Sequence, residues 1–97
     1  MIKRFVKLTF IPDKVNDFLD IFVASKKLIR AHEGCRHLEL LQDTTQTHVF
    51  FTLSYWDDVD ALEKYRRSDL FISTWAKTKI LFSDKAEAWS VNLISEL

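Results

Sequence analysis

Cysteine, proline and glycine each occur once in these 97 residues. With Cys35 alone the chain can form no internal disulfide and no metal site built on paired thiolates, so a reducing, cytoplasmic setting is expected. The lone Gly34 excludes a glycine-rich phosphate cradle. Scarce Pro and Gly also leave no flexible linker, and neither a repeat nor a low-complexity tract is visible; one domain over residues 1–97 is expected. Charge of one sign is missing too. Fourteen basic residues balance fourteen acidic ones, whereas a nucleic-acid binder needs surplus Lys and Arg against phosphates. The longest unbroken apolar run is Ile21 to Ala24, and the opening MIKRFVKLTF alternates charged with apolar residues. Neither a signal peptide nor a membrane span is expected.

What is present is apolar bulk. Hydrophobic residues make up 47% and aromatics 13%, a globular composition. A chain of this length buries only about 60–65% of its unfolded surface, so extra burial from a partner would matter. IKRFVKLTF alternates with period two and reads as a first strand, with Arg4 on the side of Val6, Leu8 and Phe10. Pro12 suits a helix start. Val15, Phe18, Leu19, Phe22 and Ile29 then form one helical stripe, with Lys26, Lys27 and Arg30 in the last turns and Gly34 as the left-handed cap. Arg36 to Asp43 and Val49 to Trp56 alternate again across the polar link Thr44 to Thr47, an antiparallel hairpin. Asp57 is placed to cap a helix bearing Val59, Leu62 and Tyr65; Ser68 caps another bearing Phe71, Trp75 and Phe82. Ala86 to Ile94 reads as a fourth strand.

This order, with right-handed crossovers, predicts an α+β fold: a ferredoxin-like split βαβ with a four-stranded antiparallel sheet in the order 4-1-3-2 and helices on one face. The stretch VFFTLSYW sends Val49, Phe51, Leu53 and Tyr55 to one side and Phe50, Thr52, Ser54 and Trp56 to the other. Both sides carry bulk, yet no further element remains to cover the second. A homodimer packed through that face is the expected remedy, since each buried aromatic contributes roughly 1.5–3 kcal/mol.

In that layout the segments RAHEGCRHLELLQD, VFFTLSYWDDVDALEKYRRSDLF and STWAKTKILFSDKAEAW resemble the antibiotic biosynthesis monooxygenase family of dimeric α+β barrels. The resemblance implies a pocket for a small aromatic or quinol-type compound and, in part of the family, oxygenation without a cofactor. Departures are specific. The iron-binding His of haem-degrading relatives falls at Trp75 and their pocket Asn at Val6; tryptophan does not ligate iron. The pocket Trp of anthrone oxygenases matches Trp56, while their Asn falls at Thr52 and their Tyr at Leu62. Quinol and isomerase branches carry a His where this chain has Tyr65.

Metal-free oxygenation needs a substrate anion sheltered in a dry pocket. Candidate catalytic residues are His37, as a base with an ordinary pKa of about 6.5, and Tyr65, as a hydrogen-bond donor. Trp56, Trp75, Thr52 and Tyr65 are the candidate substrate contacts. Each has a plainer explanation: His37 and His48 suit a strand surface, and Tyr65 and Trp75 fall on stripes that core packing requires. Arg66 and Arg67 read as a solvated helix face, relevant to an anion only if one turns toward the pocket. Two rivals to the oxygenase stand: a non-catalytic dimeric binding module for a small hydrophobic metabolite, and a small-molecule isomerase.

Overall fold

The computed structural model describes residues 1–97. Strands β1 (Ile2–Thr9), β2 (Cys35–Gln42), β3 (Val49–Trp56) and β4 (Glu87–Val91) form one antiparallel sheet in the order β2-β3-β1-β4. This is the expected 4-1-3-2 order read from the other edge, and the fold is ferredoxin-like. The hairpin closes because Asp43 leaves the strand to accept the backbone N–H groups of Thr45 and Gln46, both at 2.8 Å. β4 stops at Val91 rather than Ile94. Val91 pairs with Lys3, one residue from the start of β1, so Leu93 and Ile94 run past that strand and find no ladder partner in it.

Helix α1 (Val15–Arg30) follows a 3-10 turn at Pro12–Lys14, and it buries Phe18, Ser25 and Ile29. Ala31 caps it; Gly34 lies three residues further on, with φ of 85°. A Cβ on Gly34 would lie 2.4 Å from the Ala61 methyl, so both its conformation and the close approach of α2 require glycine. Helix α2 (Val59–Arg66) is capped by Asp58, which accepts from the Ala61 N–H at 2.8 Å, and not by Asp57 as its spacing suggests. The reason is competition, for Arg36 holds Asp57 through a two-pronged pair at 2.7 and 2.9 Å. Ser68 caps α3 (Asp69–Lys79) as expected, accepting from the Phe71 N–H at 3.1 Å. Phe82 lies beyond that helix. There Ile11 N–H donates to Leu81 and Ser83 N–H to Thr9, drawing the chain alongside β1 in a bridge that joins Phe10 to Phe82.

The helices cover one face. Leu8, Phe10 and Phe50 from the sheet meet Phe18 and Leu81, and Phe10 stacks on Phe18 with centroids 4.2 Å apart. A second nucleus joins Cys35, Trp56 and Leu62. On the opposite face the register sets Glu39, Leu53, Phe5 and Trp89 in one row, and Leu41, Phe51, Lys7 and Glu87 in the next. No helix covers this face: Leu41, Trp89 and, in the row of Lys3, Val91 remain 41%, 46% and 40% exposed.

Candidate functional site

Between the covered face and the helices lies a cavity of about 290 Å³, at the small end of the range for ligand pockets, about 300–1,000 Å³. Its floor follows from strand alternation: Arg4 and Val6 of β1 sit beside Thr52, Ser54 and Trp56 of β3. Its walls are Phe22 and Ile29 of α1, Leu62 and Tyr65 of α2, and Phe71 and Trp75 of α3. At β4 only Ala88 and, just before the strand, Ala86 contribute, and every residue of that strand is exposed, which leaves an opening there. Fourteen of the 21 lining residues are hydrophobic, so the cavity favours an apolar, flat guest. A second depression, about 650 Å³, lies between the end of α1 and β2; it is broad, and Lys26, Lys27 and Arg30 make it a solvent groove.

The aromatic walls form a chain. Trp56 and Tyr65 stack at 4.8 Å and 23°, Tyr65 meets Phe71 at 5.3 Å, and Phe71 meets Trp75 at 5.7 Å. Trp56, 1% exposed, is fixed by its indole N–H, which donates to Ser54 Oγ at 2.9 Å. A buried phenol resists ionisation because its charged form loses hydration. Burial, then the nearby Cys35, pushes Tyr65 up to about 12. At neutral pH Tyr65 is therefore a proton donor to a hydrogen bond and a poor base. Burial likewise pushes the Cys35 thiol up, so it stays protonated and unreactive.

Four of the residues singled out from sequence, Thr52, Trp56, Tyr65 and Trp75, line this one cavity. His37 does not. It pairs in register with Tyr55, packs tilted against that ring at 4.6 Å, and sets Nε2 2.7 Å from Glu39 Oε2, all on the uncovered face. His48 sits at the far end of the hairpin, next to Val49. Two lining residues carry charge that the sequence reading did not assign to the site, Arg4 and Arg66. Arg4 had a visible signal: it is the one charged residue in the inward register of the first strand. No Asp, Glu or His lines the cavity, and nowhere do three or more His, Cys, Asp or Glu side chains gather as a metal site would require.

The family model for antibiotic biosynthesis monooxygenase matches residues 1–76. The chain belongs to the antibiotic biosynthesis monooxygenase family. Solved structures agree in fold. A conserved protein from Methanosarcina mazei Go1 is 21% identical with a TM-score of 0.89, over 93% of this chain and 89% of that one. A structure named antibiotic biosynthesis monooxygenase is 15% identical with a TM-score of 0.92, over 98% of this chain and all of the other (100%). A Pseudomonas aeruginosa protein is 20% identical with a TM-score of 0.86, over 97% and 94%. At these identities the likeness establishes the fold. No curated protein matches the sequence. No helix is long and apolar enough to cross a membrane.

Proposed function

We propose that this family member is a homodimeric monooxygenase for a small aromatic or quinol-type compound, working without a metal or organic cofactor in the cytoplasm. The observation that carries the proposal is the aromatic chain Trp56–Tyr65–Phe71–Trp75, which runs from the floor along one wall of a largely apolar cavity. A flat substrate slides between that wall and the floor of Val6 and Thr52. Tyr65, held neutral by burial, donates a hydrogen bond to a substrate oxygen and favours its enolate or phenolate form. The chemistry balances with dioxygen alone. A substrate carbon loses a proton to solvent at the open β4 side, the carbanion bonds to O₂, and the resulting hydroperoxide loses water to leave a carbonyl. For anthrone the sum is anthrone plus O₂ to anthraquinone plus water.

His37 belongs, in this proposal, to the dimer face. Leu53, Phe5 and Trp89 and their neighbours there are too apolar and contiguous for a surface meant only for water, and a second copy supplies the same patch in return. One observation favours a second function, a binding module that holds its ligand unchanged: the cavity lining contains no side chain of ordinary general-base type. Incubation with anthrone in air separates the two. Anthraquinone formed with one O₂ consumed per turnover supports the oxygenase; saturable binding with anthrone recovered intact supports the module.

A further inference from the structure

Arg4 and Arg66 come to the same cavity from different elements, β1 and the last turn of α2. Their surroundings are unequal. Arg66 Nη1 donates to Glu63 Oε1 at 3.1 Å, and that pair is half exposed on the helix surface. Arg4 forms no ion pair; its guanidinium donates only to the neutral Ser90 Oγ, at 3.0 Å across the β1–β4 ladder. Ser54, its neighbour on the other side, is already engaged by the Trp56 indole. The three charges of the group, Arg4, Arg66 and Glu63, sum to one unit positive. Burial, and then repulsion from Arg66, disfavour the charge on Arg4, and Glu63 offsets only part of this. A cationic group placed at the edge of an apolar cavity with no acidic partner of its own is a receptor for one negative charge.

We propose that Arg4 and Arg66 form an anion subsite on the β4 side of the cavity, so that the guest is an aromatic monocarboxylate whose rings lie against Tyr65 and Trp75 while its carboxylate meets the two guanidinium groups. The inference rests on the aromatic-cavity function proposed above and narrows its substrate class. A planar guanidinium matches a carboxylate through two parallel hydrogen bonds, which the ammonium of a lysine cannot supply. The small side chains of Ala86 and Ala88 at the open side leave the space beside Arg4 and Ser90 in which such a group fits.

Calorimetric titration with 2-naphthoate and its neutral analogue 2-naphthamide tests the assignment. The expected result at about 50 mM salt is naphthoate binding at least tenfold more tightly than naphthamide. Arg4→Gln abolishes that preference, whereas Arg36→Gln, on the far side of the sheet edge, alters neither affinity. Arg66→Gln, at an exposed helix end and so without risk to folding, lowers naphthoate affinity several-fold more than naphthamide affinity. Equal affinity for the two probes overturns the anion subsite and leaves the aromatic cavity standing. A preference that survives both Arg4→Gln and Arg66→Gln also overturns it. Failure of both probes to bind removes the aromatic-cavity function together with the subsite.

Discussion

Replacing Gly34 by alanine tests how tightly the loop after α1 is locked against the helix that carries Tyr65. Two separate costs arise. At φ of 85° an L-residue meets its own carbonyl, at about 1–2 kcal/mol. The new methyl would also sit 2.4 Å from Ala61 Cβ, and relieving such overpacking costs a further 1–3 kcal/mol or so. Because Asp57 N–H donates to Gly34 O at 2.9 Å, the loop cannot swing away without losing its tie to the end of β3. The sum is roughly 2–5 kcal/mol. With an unfolding entropy of about 2.1 cal/mol/K per residue, each kcal/mol lowers Tm by about 5 °C in a chain of this size, so Gly34→Ala is expected to lose roughly 10–25 °C. Ala61→Gly separates the two costs. Alone it destabilises by about 1 kcal/mol, as glycine does inside a helix; in the Gly34→Ala background it removes the clash and is neutral or stabilising. Circular dichroism melts of the four proteins at one fixed concentration yield the coupling directly. Additive losses, or a Gly34→Ala loss below about 1 kcal/mol, would refute the packing described here.

Further expectations concern separate parts of the molecule. Asp58→Ala removes the α2 cap and costs about 1 kcal/mol, while Asp57→Ala breaks only an exposed pair with Arg36 and costs less; equal losses would contradict the observed capping. Tyr65 ionises near 12 instead of 10.0, so the fold favours the neutral phenol. Its contribution is complete below pH 10 and disappears as pH rises toward 12. That span corresponds to about 2–3 kcal/mol. Urea melts at successive pH values, with Tyr65→Phe lacking this alkaline component, check the sign. The protonated, buried Cys35 is expected to react with a disulfide reagent at pH 8 far more slowly than a free thiol, and at the ordinary rate once urea unfolds the chain. Leu53→Glu, at the middle of the uncovered face, is expected to convert the proposed dimer to a monomer of unchanged secondary structure; a variant still sedimenting as two chains would refute the proposed interface.

Much of the fold was legible because period-two alternation in IKRFVKLTF and VFFTLSYW is a local signal that the sheet register simply realises. Boundaries that depend on competition were not. Two adjacent aspartates offer equal capping chemistry, and only the arrival of Arg36 from β2 decides between them. Phe82 continues the helical spacing of Phe71 and Trp75, but the long-range bridge to Phe10 draws it out of the helix. For the site, inward stripes were enough to gather Trp56, Tyr65 and Trp75. His37 shows the limit of that logic: alternation separates it from Leu38 without telling which side the helices roof, and an irregularity between Cys35 and His37 lies within the same strand. Arg4 was readable as a charge on an inward register, while Arg66 enters the cavity only because the last turn of α2 comes close to Arg4 of β1.

The most direct test of the proposed chemistry is the origin of the oxygen that enters the product. With purified protein and anthrone under ¹⁸O₂, mass spectrometry should find one heavy oxygen per anthraquinone at a protein-dependent rate, slowed in Tyr65→Phe. A heavy atom drawn from labelled water, or product forming at an unchanged rate under argon, would contradict the oxygenase.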